Sequence, residues 1–281
     1  MLLANEACYT TRMEPSLEFA VDLSRRTGSL LLEYFSPEGL TPTLKADKTV
    51  VTEADLAADR LISSAISQHF PQEAIISEEL QPELSAHSPA VWVVDPLDGT
   101  SNFSLGLPIW GISIARVVGG IPNIAVVNFP AIGEFYTAEL GQGARLNDNS
   151  IRVKPPIPGQ PTSFFSCCAR TFRRYEVNLR YKCRVLGSAA YTWCAVARGT
   201  AVIGFEATPK IWDLAGGWLV VQEAGGAIAA YDEVQAFPLV VGWDYRQRNF
   251  PTLMAASPEL LEQARAQIKP KQSFQASSVP G

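Results

Sequence analysis

The chain has 281 residues, a formal net charge of −5 at pH 7, and a composition that is 47% hydrophobic and 18% charged. This length is enough for one large domain or two lobes with a sizeable core. A nucleic-acid surface needs clustered Lys and Arg to neutralise phosphates, and the acidic balance argues against one. The densest basic group, Arg170, Arg173 and Arg174, is interpreted as a solvated loop. An acidic protein that handles phosphate needs cations from elsewhere, which indicates a metal ion.

The cysteines and the apolar segments bear on the compartment. Five scattered cysteines without a C-x-x-C pattern are typical of buried thiols in a reducing compartment, not of a disulfide framework or a zinc site: Cys8, Cys167, Cys168, Cys183 and Cys194. The N-terminus lacks the basic region and long apolar core of a signal peptide. No run approaches the roughly 18 apolar residues of a membrane helix. We therefore predict a cytoplasmic protein with no membrane or nucleic-acid partner.

Helical patterns open the chain, and strand patterns follow them. Apolar residues at helical spacing predict helices over 16–35 and 52–70, the second with Thr52 and Asp55 in an arrangement that resembles a capping box. Short apolar or alternating runs predict strands over 74–76, 91–94, 111–118, 123–129 and 134–139. Beyond residue 161 the patterns predict strands over 163–167 and 201–206, and helices over 189–198, 214–224 and 258–268.

The proline-rich segment 154–161 is predicted to link two lobes, at about 1–153 and 162–268, within a single unit. A polar tail over 269–281 is predicted to be disordered. Strands and helices interleave without regular βαβ alternation, so we predict a layered mixed α/β (α+β) architecture.

Acidic residues stand where predicted elements end or begin. Asp95 follows the buried run 91–94 and Asp98 comes three residues later, so both carboxylates can converge on one hard cation. Gly99 and Thr100 come next, where exposed backbone N–H groups would suit a phosphate. Glu78 follows another apolar run. These positions predict a metal site beside a phosphate site.

Each acid also has a purely structural interpretation. Asp98-Gly99 is a common turn dipeptide, Asp213 is an acceptable helix N-cap, and Asp55 can be simply the N3 acid of its helix. Glu78 and Glu206 can be solvated acids at strand ends. As a set, however, these carboxylates match what two-metal hydrolysis of a phosphate ester requires.

The sequence lacks the residues and motifs that other hydrolytic mechanisms require. The two histidines, His69 and His87, have no metal-ligand spacing, which argues against a zinc hydrolase. The chain has no P-loop, G-x-G-x-x-G or G-x-S-x-G motif.

Two segments carry a family resemblance. The run Val94-Asp95-Pro96-Leu97-Asp98-Gly99-Thr100-Ser101-Asn102-Phe103 resembles the first signature of the inositol monophosphatase family. The run Trp212-Asp213-Leu214-Ala215-Gly216-Gly217, continuing to Glu223-Ala224-Gly225-Gly226, resembles the second. The acid pair at Glu78 and the helix start Thr52-Glu53-Ala54-Asp55 match in order and spacing, so the resemblance covers roughly 17–268.

This resemblance implies an α/β/α/β/α sandwich and a Mg²⁺-dependent, lithium-sensitive phosphatase with two or three ions in its site. The implied metal ligands are Glu78, Asp95, the Leu97 carbonyl, Asp98 and Asp213. Thr100 with Asp55 would orient or deprotonate the attacking water, a catalytic role that Glu78 would share. The implied substrate-side residues are Asp98, Gly99, Thr100, Gly187, Ser188, Ala189, Asp213 and Glu206, the last as a hydroxyl acceptor.

The sequence departs from the family's usual pattern at three positions. Ser77 stands where Gly is usual before the acid pair, and Ser101 and Ser188 stand where Thr is common. Lys45 matches a basic loop residue only at a spacing one residue short.

The implied substrate is inositol 1-phosphate or a similar small polyol phosphate, attacked directly by water. Histidinol phosphate, fructose 1,6-bisphosphate and 3'-phosphoadenosine 5'-phosphate remain alternatives. So does a non-catalytic regulatory protein that binds metal or phosphate. Family members often form dimers, and a homodimer contact from the apolar segment 110–129 is expected by analogy.

Overall fold

The structure is a computed structural model that describes residues 14–38, 43–44, 50–79, 88–157 and 163–271. Cys8, Lys45 and His87 lie outside the described residues. The helices are α1 (Pro15–Tyr34), α2 (Glu53–His69), α3 (Thr100–Ser104), α4 (Thr171–Arg174), α5 (Ala189–Ala197), α6 (Ile211–Glu223) and α7 (Pro258–Gln267). The strands are β1 (Thr43–Leu44), β2 (Val50–Val51), β3 (Ala74–Ser77), β4 (Ala90–Asp98), β5 (Gly111–Val118), β6 (Ile121–Phe129), β7 (Glu134–Glu139), β8 (Gly143–Leu146), β9 (Asn149–Ile151), β10 (Phe164–Cys167), β11 (Tyr175–Val177), β12 (Lys182–Arg184), β13 (Ala201–Glu206), β14 (Ala227–Ala230), β15 (Thr252–Ala255) and β16 (Ile268–Pro270).

The larger sheet contains seven strands in the order β3-β4-β5-β6-β7-β8-β9. Strand β4 pairs parallel with β3 and antiparallel with β5, and all nine of its residues are buried. Trp92 and Val94 pack in the core under α1 and α2, whereas Val91 and Val93 pack in the core shared with α5 and α6. Because side chains alternate along a strand, Asp95 faces the same side as Val93, towards α6.

The smaller sheet contains five strands in the order β12-β10-β13-β15-β14. One of its faces packs with α7 around a core that includes Phe165, Phe205 and Leu253. Helices α5 and α6 lie between the two sheets, and α6 contacts strands of both. The layers are therefore α1/α2, the larger sheet, α5/α6, the smaller sheet and α7. The predicted α/β/α/β/α sandwich is confirmed.

The long elements are close to those predicted, and the differences lie mainly at their ends and in short strands. Helix α6 begins at Ile211, which places Asp213 in its first turn and makes Lys210 the N-cap, so the N-cap interpretation of Asp213 is wrong. The elements that were not predicted are each only two to four residues long: β1, β2, β8, β9, β11, β12, β14, β15, β16 and α4.

Two predicted segments, the proline-rich linker and the C-terminal tail, are only partly covered by the described residues. Residues 154–157 have no regular structure, and 158–162 lie outside the described residues. The tail was predicted to be disordered from residue 269, but β16 pairs antiparallel with β11 there, so its first residues are ordered. Residues 272–281 lie outside the described part.

The burial of the segment 110–129 limits which of its residues could form the predicted dimer contact, and that contact stays a prediction. Trp110, Ile112 and Phe129 are fully buried inside the chain, and the exposed apolar residues of this segment, Val118 and Ile121, flank one turn. Four cysteines, Cys167, Cys168, Cys183 and Cys194, are free and at least half-buried, in line with the predicted thiols. Within the described residues, no helix has the length and apolar character needed to cross a membrane.

Candidate active site

Three carboxylates from distant parts of the chain converge at one point. Glu78 follows β3, Asp95 lies on β4 and Asp213 lies in the first turn of α6. Each offers a carboxylate oxygen, and these three oxygens all lie within 4.8 Å of one another. The parallel pairing of β3 with β4 brings the ends of both strands to the same edge of the sheet, and the Glu78 N–H donates to the Val94 carbonyl at 3.3 Å.

The three carboxylates repel one another, and a positive charge between them would relieve that repulsion. Burial raises the pKa of Asp95 well above its usual value, and repulsion from Glu78 and Asp98 raises it further. Burial also raises the pKa of Asp213, although the Lys210 N–H, donating to it at 2.8 Å, works in the opposite direction. Asp95 is buried, and Glu78 and Asp213 are partly exposed. Carboxylates with oxygens this close fit a divalent cation, which takes oxygen ligands and removes the repulsion.

Asp98 lies beside the three-carboxylate group and is not part of it. Its carboxylate accepts hydrogen bonds from the Ser188 hydroxyl and from the N–H groups of Ala189 and Ala190, the latter two at 3.1 Å. Burial, with repulsion from Asp213, raises the pKa of Asp98 to about 7. Asp98 therefore joins the end of β4 to the start of α5, across some ninety residues of chain.

Thr100 connects the strand end to α2. Its hydroxyl lies 3.0 Å from Asp55 Oδ1 and 3.1 Å from the Leu97 carbonyl. The other carboxylate oxygen of Asp55 accepts the Thr52 N–H at 2.8 Å, which completes the predicted capping box. Asp55 thus has its expected capping role and also contacts Thr100.

Two glycines allow the backbone turns at the site. Gly99 (φ +87°) precedes α3, and a Cβ there would lie 3.0 Å from the Ile109 carbonyl. Gly187 (φ +79°) leaves room for Asn102, whose side-chain oxygen would lie 2.6 Å from an added Cβ. The Asn102 amide donates to the carbonyls of Ile109 and Leu186, at 2.7 and 2.8 Å, so it links α3 to the turn before α5.

Glu206 ends β13 and is buried, 4% exposed, so its interpretation as a solvated strand-end acid is wrong. Burial raises the pKa of Glu206 to about 8, although hydrogen bonds with the side chains of Thr192 and Cys168 work in the opposite direction. Glu206 therefore retains a proton much of the time at neutral pH, and its carboxyl can donate as well as accept a hydrogen bond.

Two adjoining pockets contain most of the predicted site residues. The first, about 430 Å³, is lined among others by Glu78, Leu97, Gly99, Thr100 and Asp213. The second, about 400 Å³, is lined among others by Gly187, Ser188, Ala189, Glu206 and Asp213. Residues predicted from both halves of the chain therefore meet around one cavity. Asp55 and Asp98 do not line it but hydrogen bond to the lining residues Thr100 and Ser188, and Asp95 lies close to Glu78 and Asp213.

Supporting residues around the site were missed in the sequence. The Ser77 hydroxyl, where the family usually has Gly, hydrogen bonds to Asp59 of α2 directly beside Glu78. The Trp193 indole N–H donates to the Asp213 carbonyl at 2.8 Å. For Asn102, the one sequence feature that could have indicated a supporting role was its place within the first signature. No sequence feature indicated such a role for Asp59 or Trp193.

Without metal, the protein is expected to lose stability as the pH rises. An acid whose pKa is higher in the folded than in the unfolded state stabilises the fold fully below the unfolded pKa, and this contribution is lost as the pH rises through the folded pKa. For Asp98 and Glu206 that window runs from their unfolded values to about 7 and about 8. Thermal unfolding of chelator-treated protein at about pH 6 and about pH 8, with and without Mg²⁺, measures the effect.

Mg²⁺ should raise the melting temperature more at the higher pH, where the carboxylates are charged, and a matched concentration of NaCl is the control for ionic strength. A metal-free melting temperature that is equal or higher at about pH 8 would contradict this prediction.

The fold and the carboxylate group together define a layered α/β protein with an acidic site suited to divalent cations. Comparison with known proteins is more specific: the inositol monophosphatase family model matches residues 12–271. The chain therefore belongs to the inositol monophosphatase family, a family of phosphatases.

Individual relatives span nearly the same length. A Pasteurella multocida protein named Nus factor SuhB is 33% identical over 270 residues, covering 92% of this chain and 97% of its own. A Chlorobaculum parvum histidinol-phosphatase is 34% identical over 230 residues, covering 78% and 87%. The solved structure of an IMPase from Thermotoga maritima superposes with a TM-score of 0.75 at 28% identity, covering 90% of this chain and 97% of that one.

Proposed function

We propose that this protein is a Mg²⁺-dependent phosphomonoesterase that hydrolyses inositol 1-phosphate or a similar small polyol phosphate. The observation that carries the proposal is the convergence of Glu78, Asp95 and Asp213, with carboxylate oxygens within 4.8 Å of one another, beside a pocket that Glu78, Asp213 and Thr100 line. Membership of a phosphatase family supports the same reaction.

In this proposal the metal ligands are Glu78, Asp95, Asp213, Asp98 and the Leu97 carbonyl. A divalent cation, when bound, lowers the pKa of water and stabilises the charge that develops on the leaving oxygen. Inhibition by Li⁺ and the presence of two or three ions belong to the proposal through the family resemblance.

The protein's own residues would position the water and the phosphate. Asp55 accepts from the Thr100 hydroxyl at 3.0 Å, so a water that donates to Thr100 Oγ is aligned, and its proton has a path to a carboxylate. Glu78, at the pocket wall, is the second candidate to accept that proton. The N–H groups of Gly99 and Thr100 would hold the phosphate oxygens.

The second pocket would hold the polyol. Gly187, Ser188 and Ala189 form its turn, and the Glu206 carboxyl lies in its wall. Because Glu206 is buried with a raised pKa, it can exchange hydrogen bonds in both directions with a hydroxyl group.

The relatives keep two other functions open. The Chlorobaculum parvum relative is named a histidinol-phosphatase, and fructose 1,6-bisphosphate and 3'-phosphoadenosine 5'-phosphate are further candidate substrates for the same site. The Pasteurella multocida relative is named a Nus factor, which makes a non-catalytic regulatory role the alternative of a different class. The complete set of carboxylates at the pocket favours catalysis.

A phosphate-release assay with a panel of these esters tests the proposal. Purified protein with Mg²⁺ is expected to hydrolyse inositol 1-phosphate, to lose activity with a chelator and regain it with Mg²⁺, and to be inhibited by Li⁺. If another ester reacts about a hundredfold faster, a difference of about 2.7 kcal/mol in barrier, inositol 1-phosphate is the wrong substrate.

Calorimetry distinguishes a catalytic function from a regulatory one. A regulatory protein would bind an ester in the presence of Mg²⁺ without releasing phosphate, and that result would overturn the catalytic proposal as a whole.

A further inference from the structure

Helix α2 presents two buried carboxylates to the strand ends that carry the candidate metal site. Asp55 and Asp59 lie four residues apart, so they are on the same face of the helix. Asp55 Oδ1 accepts a hydrogen bond from the Thr100 hydroxyl, which follows β4. Asp59 Oδ1 accepts one from the hydroxyl of Ser77, the last residue of β3. About 6 Å of helix axis therefore separates the two contacts.

The burial of Asp59 is not explained by packing. Asp59 is 2% exposed, and Ser77 is fully buried. Burying a carboxylate is costly unless it is well paired. The apolar side chains of α2 pack in the core without that cost, among them Ala54, Ala58 and Ile62. A carboxylate at this position therefore indicates a role that an apolar side chain could not perform.

Ser77 connects Asp59 to a candidate metal ligand through one peptide bond. Ser77 pairs with Val94 in the parallel register, and the N–H of the next residue, Glu78, donates to the Val94 carbonyl at 3.3 Å. The backbone of Glu78 is thus held by β4, and the side chain of Ser77 is held by α2. Together these contacts fix the direction in which the chain leaves β3, and with it the starting point of the Glu78 side chain.

The contact with α2 depends on the residue that this chain has before Glu78. The sequence departs here from the family's usual Gly, which has no side chain to hold and leaves the backbone more freedom. Ser77 supplies a hydroxyl, and Asp59 accepts from it in a buried site where water does not compete.

We propose that Asp59 is a positioning residue, which fixes the Glu78 carboxylate within the three-carboxylate group by accepting a hydrogen bond from the Ser77 hydroxyl. The proposal rests on the part of the proposed function that makes Glu78 a metal ligand. Because Asp55 lies on the same face of α2, this helix also sets the position of Glu78 relative to Thr100, the residue that would orient water. Removing a group that orients a metal ligand typically weakens metal binding by about tenfold to a hundredfold.

Calorimetric titration of the full chain with Mn²⁺, as a substitute for Mg²⁺, tests this proposal. Asp59→Ala and Ser77→Ala each remove one partner of the hydrogen bond, and each is expected to raise the Kd for Mn²⁺ by about tenfold or more. The double variant should bind little more weakly than the worse single variant, because the two residues act as a pair. In the phosphate-release assay, these variants should need about tenfold more Mg²⁺ for half of the maximal rate. At saturating Mg²⁺, the KM for the ester should stay within about threefold of wild type, since the metal ligand and not the ester is displaced.

Two further variants separate the hydrogen bond from charge and from helix stability. Asp59→Asn removes the charge but keeps an oxygen that can accept from Ser77, so it should bind Mn²⁺ within about threefold of wild type. Ser63→Ala is the matched control. Ser63 lies one turn further along the same face of α2 and is buried, and its hydroxyl has no hydrogen-bond partner among the described residues. This variant should bind Mn²⁺ as wild type does.

Kd values for Asp59→Ala and Ser77→Ala within about twofold of wild type, with the fold shown intact by circular dichroism, would overturn the positioning role and leave the proposed function standing. Binding by Asp59→Asn as weak as that by Asp59→Ala would overturn it too, because the effect would then come from charge. If Asp59→Ala does not fold, Ser77→Ala against Ser63→Ala decides, since each removes one buried hydroxyl.

The same titrations distinguish this proposal from the proposed function. If wild type binds Mn²⁺ and the two alanine variants bind it weakly, but no ester is hydrolysed, the proposed function fails and the positioning role stands. A wild-type protein that binds no Mn²⁺ would overturn both.

Discussion

Replacing Asp95 with Asn is expected to reduce kcat by at least about a thousandfold, about 4 kcal/mol of barrier, without unfolding the protein. Asp95 is 1% exposed and belongs, with Glu78 and Asp213, to the group that would hold the cation. An amide keeps the shape of the side chain but removes the charge that binds the metal. The loss should therefore appear in Mg²⁺ affinity and in kcat together.

The metal-free variant should be at least as stable as metal-free wild type. Burial and the neighbouring acids raise the pKa of Asp95, so the wild-type carboxylate is costly when it is charged and unpaired. Adding Mg²⁺ should then stabilise wild type but not Asp95→Asn. Asp148→Asn is the matched control, because Asp148 is exposed and its φ of 65° suits Asn. Turnover by Asp95→Asn within about tenfold of wild type would refute the role of Asp95.

Replacing Thr100 with Val is expected to reduce kcat by about a hundredfold to a thousandfold, with little change in KM. Valine matches threonine in shape but cannot donate to Asp55 Oδ1 or to the Leu97 carbonyl, both about 3 Å from the hydroxyl. A water at this point would lose its orienting group, and the binding of the phosphate through backbone N–H groups would remain.

Thr100→Ser is the rescue variant, since it restores a hydroxyl at the same position and should recover most of kcat. Combining Thr100→Val with Asp55→Asn should cost little more than the worse single change, because the two residues act as a pair. Initial rates at saturating substrate and Mg²⁺ measure both effects. Rates for Thr100→Val within about threefold of wild type would exclude the orienting role.

Local sequence patterns were enough to predict much of the candidate site. Strand β4 is covered on both faces, so its residues form a continuous apolar run that ends in Asp95 and Asp98. Such a run can be recognised without the rest of the chain. Asp213 gave only an ambiguous helix-start signal, and it was the similarity of the second signature that predicted its place beside Asp95.

Contacts between distant segments could not be predicted. The hydrogen bonds from Ser188 to Asp98 and from Asn102 to Leu186 depend on how α5 packs against the end of β4, and no local spacing encodes that packing. Burial of Glu206 depends in the same way on α5, which contributes Thr192 beside it. Arg170 and Arg173 are exposed, so the sequence pattern predicts only a solvated loop for them. Their place on the cavity wall depends on distant segments: the Arg170 guanidinium, for example, donates to the hydroxyl of Thr208, which lines the same pockets.

Anomalous diffraction from crystals soaked with Mn²⁺ as a substitute for Mg²⁺ tests the central claim most directly. We expect an anomalous peak within coordination distance of the carboxylates of Glu78, Asp95 and Asp213, and its absence in Asp95→Asn crystals treated identically. A peak elsewhere, with these three side chains directed away from one another, would contradict the metal site from which the proposed function is derived.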